Sequence, residues 1–116
     1  ICLDGDGSFL MHMGSSVISS KFGAKNFKYI LLNNLCHESV GKQPTAIDII
    51  DLEKFVLSIG YKKYFLIDKK DSFKKIFKKF LDCSGPSFLN VLINPNTTKK
   101  LLRIKNLQKI KRDFIN

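Results

Sequence analysis

The sequence is poor in the residues that build disulfide frameworks and zinc sites. It has three cysteines, Cys2, Cys36 and Cys83, which are odd in number and widely spaced, and only two histidines. No Cys-x-x-Cys pair occurs. Disulfide-stabilised domains and structural zinc sites need paired, closely spaced ligands. We therefore expect neither, and we expect reduced thiols in a cytoplasmic protein.

Long apolar runs are also missing. No run approaches the roughly 20 residues that a membrane-spanning helix needs, and no charged segment followed by an apolar one marks a signal peptide. The chain begins with Ile1 rather than Met and opens directly on an apolar run typical of a strand. We therefore expect no membrane partner, and we expect the chain to be a fragment of a longer protein.

Arginine is scarce in a chain that is strongly basic. Only two of the 20 Lys and Arg residues are Arg, and with 10 Asp and Glu residues the net charge is +10. Proteins that bind nucleic acids more often carry Arg, which makes bidentate contacts, with aromatic residues interleaved. We expect the lysines to cover solvated surface. A basic nucleic-acid-binding module is the alternative interpretation.

Apolar runs alternate with amphipathic segments along the chain. The spacing predicts strands at residues 1–3, 27–32, 61–67 and 87–93, and helices at 8–21, from Asp48 or Asp51 to about 60, and at 71–81. Such alternation predicts an α/β fold, with a parallel sheet of about four strands and helices on both faces. We expect one domain over residues 1–98, followed by a basic tail over 99–116 that can form a short helix.

Two loops are predicted to meet at the carboxyl edge of this sheet, where ligands of parallel sheets bind. In the first, Gly5-Asp6-Gly7 sets a carboxylate between glycines that allow close approach of an anion. A carboxylate suits a phosphate site when a divalent cation such as Mg²⁺ bridges the two. In the second, Asn33 and Asn34 offer amide oxygens as further ligands. An ordinary turn is the alternative interpretation of Gly-Asp-Gly taken alone.

The two loops together resemble the cofactor motif of thiamine diphosphate-dependent decarboxylases. That motif is Gly-Asp-Gly, then about 25 residues, then Asn-Asn, and here 25 residues separate Gly7 from Asn33. The strings over residues 4–15 and 33–45 look like those of the phosphonopyruvate decarboxylase family, and sulfopyruvate decarboxylases share part of the pattern. The resemblance covers roughly residues 1–95.

The resemblance implies a role for each residue of the two loops. Mg²⁺ would be bound by Asp6, by Asn34 and by the backbone carbonyl of Cys36. The residues that would bind the cofactor are Gly5, Asp6, Gly7, Ser8 and Asn34. Catalytic residues on the substrate side would be His37, Glu38 and Ser39. Lys42 departs from the family string, which more often has Gly at this position.

The activity implied is the decarboxylation of 3-phosphonopyruvate to phosphonoacetaldehyde, a step of phosphonate biosynthesis. Sulfopyruvate, or another small anionic 2-oxo acid, is the alternative substrate. In this family a separate pyrimidine-binding domain activates the cofactor and the site forms between subunits. The resemblance therefore implies such a partner domain and a homo-oligomer, and we expect the 116-residue chain alone to be inactive. An inactive remnant is the non-enzyme alternative.

Overall fold

The computed structural model describes residues 1–95 and 106–115. The strands are β1 (Cys2–Gly5), β2 (Lys28–Asn33), β3 (Cys36–His37), β4 (Gln43–Pro44), β5 (Lys63–Ile67) and β6 (Ser87–Leu92). The helices are α1 (Asp6–Met11), α2 (Met13–Phe22), α3 (Leu52–Ser58), α4 (Phe73–Asp82) and α5 (Leu107–Ile115). Short 3-10 turns lie at Glu38–Val40, Ala46–Ile49 and Lys70–Ser72.

Four of the strands form one parallel sheet in the order β1-β2-β6-β5. Gly5 pairs with Leu32, and Asn33 pairs with Leu92, so β1, β2 and β6 end at the same edge. Five of the six residues of the central strand β2 are buried, as expected for a strand covered on both faces. The predicted α/β fold with a four-stranded parallel sheet is confirmed.

The sheet separates two hydrophobic clusters because successive side chains of a strand point to opposite faces. On one face, Phe9 of α1 and Val56 of α3 pack with Tyr29, Leu31 and Phe88. On the other face, Phe80 of α4 packs with three sheet residues, Ile30, Ile67 and Leu89. Helices therefore cover both faces of the sheet, and the site described below lies beyond its carboxyl edge.

The segment between β1 and β2 differs from its prediction. Residues 5–7, predicted to form the first of the two loops, are the end of β1 and the first residues of α1. Gly5 is extended and precedes the helix directly, so the first loop is reduced to the junction of β1 with α1, which keeps the name of first loop. The single helix expected over 8–21 is two helices, because His12 leaves helical geometry with φ −121° and ψ 25°. Gly23 follows the second helix, as predicted.

Two other expectations are refined. The loop predicted over residues 33–46 contains a small antiparallel hairpin of β3 and β4. The third helix starts after Asp51 rather than Asp48, because the Asp51 carboxylate accepts a hydrogen bond of 3.1 Å from the backbone N–H of Lys54. A short helix, α5, lies in the basic tail, while the tail residues 99–105 and 116 are outside the described residues, as are 96–98.

None of the helices in the described ranges combines the length and the apolar character that crossing a membrane requires.

Two buried tyrosines offer a matched test of this packing. The Tyr29 hydroxyl donates a 2.6 Å hydrogen bond to Asp4 Oδ2, whereas the buried Tyr61 hydroxyl has no partner among the described residues. We expect Tyr29→Phe to lower the free energy of unfolding by about 1.5–3 kcal/mol, since it removes a hydrogen bond to a charged group. Tyr61→Phe should change it by less than about 0.5 kcal/mol, because nothing is left unpaired. Urea unfolding of both variants checks this, and equal losses would contradict it.

Candidate functional site

A cleft of about 380 Å³ opens at the carboxyl edge of the sheet. The residues predicted to bind cofactor all line it, namely Gly5, Asp6, Gly7, Ser8 and Asn34. The remaining predicted residues line it too, namely Cys36, His37, Glu38 and Ser39. The structure therefore brings every residue to which the resemblance gives a role in binding or catalysis to one cleft.

Strand pairing explains why residues far apart in sequence meet here. Asp6 is the first residue after β1, and Asn34 is the first residue after β2. The two strands are parallel neighbours and Gly5 pairs with Leu32. The chain must therefore place both side chains at the same edge, with α1 and α2 forming the crossover between the strands.

Asp6 is a buried carboxylate, 3% exposed. The Thr45 hydroxyl donates a 2.6 Å hydrogen bond to Asp6 Oδ2. In residues 1–95 and 106–115 the only ion pair joins Lys54 to Asp51, so no cationic side chain neutralises Asp6 there. A buried carboxylate costs free energy unless it is hydrogen-bonded and paired with a cation. The surroundings of Asp6 are thus of the kind that suits a bound metal cation.

The side chains of two asparagines stabilise the turn after β2. Asn33 Oδ1 accepts a hydrogen bond from the Leu35 N–H at 3.2 Å, and Asn34 Oδ1 accepts one from the Cys36 N–H at 3.1 Å. Leu35, between them, has a positive φ of 60°, which makes the chain turn sharply. Side-chain turns of this kind are what Asn favours.

The structure distinguishes the two asparagines. Asn34 lines the cleft with Asp6, whereas Asn33 is buried and does not line this cleft. An amide oxygen carries two lone pairs, so Asn34 Oδ1 can accept one hydrogen bond and still bind a cation. Asn34 Nδ2 also donates a 3.3 Å hydrogen bond to Glu38 Oε2. Asp6, Asn34 and Cys36 line one cleft, and the side-chain oxygens of the first two and the backbone carbonyl of the third are hard donors of the type that Mg²⁺ prefers.

Gly7 and His37 are in close contact in the cleft. A Cβ atom added to Gly7 would lie 2.5 Å from His37 Nδ1, so the absence of a side chain at Gly7 makes room for the imidazole.

Partial burial is the largest cause that raises the pKa of the Cys36 thiol, and the negative charges of Glu38 and Asp6 raise it further. The thiol therefore stays protonated at neutral pH and is a poor nucleophile.

Lys42 adopts a left-handed conformation with φ 61°, directly after Gly41 with φ 97°. Glycine adopts this conformation at the lowest cost, which gives a physical reason for the Gly more common at this position in the family string. Lys42 lines a neighbouring cleft with Asn33 and Cys36, and it does not line the Asp6 cleft.

The sequence analysis gave no role to Thr45, the residue that contacts Asp6. The two residues are 39 positions apart, so no local pattern signals their contact. Met11 is 71% exposed and lines the cleft, although methionine more often fills gaps in a core. His12 is exposed.

Comparison with known proteins gives a matching family and several relatives. Residues 1–91 match the family described as thiamine pyrophosphate enzyme, C-terminal TPP binding domain. Over 95 residues the chain is 34% identical to sulfopyruvate decarboxylase subunit beta of Methanothermobacter thermautotrophicus, which covers 82% of this chain and 49% of that protein.

Two further relatives carry related names. The sulfopyruvate decarboxylase of Methanosarcina acetivorans is 34% identical over 99 residues, which are 84% of this chain and 26% of that protein. The phosphonopyruvate decarboxylase of Streptomyces viridochromogenes is 29% identical over 105 residues, which are 90% of this chain and 26% of that protein. The chain therefore spans about half or a quarter of the length of these relatives.

Two glycines offer a matched test of the cleft geometry. Gly7→Ala should displace the His37 imidazole, because a Cβ atom would lie 2.5 Å from its Nδ1. Since this half-buried ring can rotate away, the free energy of unfolding should fall by no more than about 1 kcal/mol. Gly14→Ala meets no atom within 4 Å and lies inside α2, so it should raise that free energy by about 0.5–1 kcal/mol. Urea unfolding and the NMR shifts of the His37 ring check both. An unmoved His37 resonance in Gly7→Ala would contradict the packing described.

Proposed function

The chain belongs to the family of thiamine pyrophosphate enzymes, within their C-terminal TPP-binding domain, and from this we propose that its cleft binds the diphosphate of thiamine diphosphate through Mg²⁺. The observation that carries the proposal is the buried Asp6 carboxylate, which has no cationic side-chain partner among the described residues and shares a cleft with Asn34 and Cys36. We further propose that the complete enzyme decarboxylates a small anionic 2-oxo acid.

The proposed ligand set divides between the two loops. Asp6, from the first loop, and Asn34 and the Cys36 carbonyl, from the second, would hold the cation. Gly5, Gly7 and Ser8 line the same cleft and would contact the diphosphate through backbone N–H groups and the Ser8 hydroxyl. The cation would then neutralise both the buried carboxylate and the phosphates, which removes the cost of burying Asp6.

When bound, thiamine diphosphate supplies a nucleophilic carbon and an electron sink for loss of carbon dioxide from a 2-oxo acid. The chain's own contribution is to bind, orient and exclude water. His37, Glu38 and Ser39 follow the metal-binding turn and line the cleft, and we assign them to the substrate side. The hydrogen bond from Asn34 Nδ2 to Glu38 Oε2 ties this substrate side to a proposed metal ligand.

Two substrates fit the proposal. Decarboxylation of 3-phosphonopyruvate would release carbon dioxide and phosphonoacetaldehyde, and decarboxylation of sulfopyruvate would release the corresponding sulfonated aldehyde. The two sulfopyruvate decarboxylase relatives named above are each 34% identical to the chain over the matched residues, against 29% for the phosphonopyruvate decarboxylase of Streptomyces viridochromogenes. These relatives support sulfopyruvate as a second candidate substrate, of equal standing with 3-phosphonopyruvate.

We also propose that the active enzyme needs parts beyond these 116 residues. One relative is named as a subunit beta, which supports an assembly of more than one chain. A pyrimidine-binding domain would come from another segment or another subunit of a homo-oligomer. The 116-residue chain alone should show no turnover, and we place the complete enzyme in the cytoplasm.

Calorimetry tests the metal assignment most simply. In the native enzyme that contains this chain, Asp6→Ala should weaken Mg²⁺-dependent binding of thiamine diphosphate at least a hundredfold, since it removes the only charged ligand proposed. The matched control is Asp48→Ala, which removes an exposed carboxylate that does not line the cleft. Equal binding by wild type and Asp6→Ala would refute the assignment, and no binding by wild type would favour an inactive remnant.

Steady-state kinetics separates the substrates. We expect the native enzyme to prefer one of these two acids, which carry a second anionic group, over pyruvate by at least about a hundredfold in kcat/KM, because groups of the complete site that pair with the second anionic group would be left unpaired by pyruvate. The larger kcat/KM of phosphonopyruvate or sulfopyruvate identifies the substrate. Equal kcat/KM for all three acids would contradict the proposed specificity for a substrate with a second anionic group.

A further inference from the structure

We infer that Thr45 is a positioning residue that orients the Asp6 carboxylate toward the bound cation, an inference that rests on the function proposed above. The hydroxyl of Thr45 donates a 2.6 Å hydrogen bond to Asp6 Oδ2. Both residues are buried, with exposures of 4% and 3%. Water therefore competes little with this bond, and the bond fixes the rotation of the carboxylate.

The Thr45 hydroxyl is not used where threonine usually serves. Thr45 precedes the 3-10 turn Ala46–Ile49 at the capping position, yet its side chain makes no capping hydrogen bond. Threonine at such a position ordinarily accepts a hydrogen bond from the backbone of the turn. A hydroxyl can donate one proton and can also accept hydrogen bonds. Here it donates to Asp6 and accepts none from the turn, so the structure assigns the side chain to the carboxylate.

Thr45 also joins the two loops of the site. Its backbone N–H donates a 3.0 Å hydrogen bond to the carbonyl of Leu35, the residue with positive φ in the second loop. The preceding residue, Pro44, pairs with Cys36 in the β3–β4 hairpin. One residue therefore links Asp6 of the first loop to the turn that carries Asn34 and Cys36 in the second.

The hydrogen bond leaves the carboxylate free to bind a cation. A carboxylate has about four lone-pair positions, and one hydrogen bond occupies one of them. A hydrogen bond to a charged acceptor is stronger than one between neutral groups. Thr45 can thus reduce the freedom of Asp6 before the cation arrives, which lowers the entropic cost of binding.

Magnesium titrations of the native enzyme test the inference. With saturating thiamine diphosphate, Thr45→Val, which keeps the shape and removes the hydroxyl, should raise the apparent Mg²⁺ dissociation constant about tenfold or more. Thr45→Ser, which keeps the hydroxyl, should stay within about threefold of wild type. Ser20→Ala is the matched control, because the buried Ser20 hydroxyl lies within hydrogen-bond distance of the carbonyls of Val17 and Ile59, away from the cleft, and it should leave the dissociation constant unchanged.

A second measurement needs neither metal nor cofactor. In metal-free urea unfolding, the changes in the free energy of unfolding caused by Thr45→Val and Asp6→Ala should be non-additive in the double variant, because the two side chains interact directly. If Thr45→Val does not fold, Thr45→Ala takes its place in both experiments.

The outcomes separate this inference from the proposed function. Wild-type affinity for Mg²⁺ in Thr45→Val, or additive changes in the cycle, would overturn the role of Thr45 while the proposed function stands. A wild-type enzyme that binds no thiamine diphosphate with Mg²⁺ would overturn the proposed function, and the role of Thr45 with it, even where the cycle shows coupling.

Discussion

The parallel pairing of β1 with β2 is the constraint on which the site depends. Parallel neighbours must end at the same edge, and their connection must cross the sheet, here through α1 and α2. Asp6 and Asn34, one residue beyond the two strand ends, are therefore brought together by the backbone alone. The other contacts of the site, from the Asn34 turn to the hydrogen bond between Thr45 and Asp6, orient side chains that this strand pairing has already brought close.

The charges of the chain are arranged in two distinct ways. The net charge is +10, yet the described residues place no lysine against the buried Asp6 carboxylate. The lysines of α4 instead lie on its exposed side, while Phe80 packs into the core. Most of the lysines that the structure describes are thus exposed, with Lys28 a buried exception. The Asp6 carboxylate, without a cationic side-chain partner among the described residues, is the feature that calls for a cation.

The sequence predicted the fold well because the signals are local. The apolar runs of β2 and β6 predicted two strands, and the spacing of phenylalanines in α4 predicted a helix. The alternation of such segments predicted the α/β class. The meeting of Asp6 with Asn34 followed from topology. Features set by contacts distant in sequence were missed, above all the Thr45 bond to Asp6 across 39 positions. The break at His12 and the β3–β4 hairpin were missed too, because their backbone angles depend on tertiary packing rather than on residue propensity.

The central claim is that the Asp6 cleft is a metal and diphosphate site. A crystal of the native enzyme grown with thiamine diphosphate and Mn²⁺, which replaces Mg²⁺ and scatters anomalously, tests it most directly. The account predicts one anomalous peak in this cleft, in contact with side-chain oxygens of Asp6 and Asn34 and with the Cys36 carbonyl. A peak elsewhere, with Asp6 still bonded only to Thr45, would contradict it.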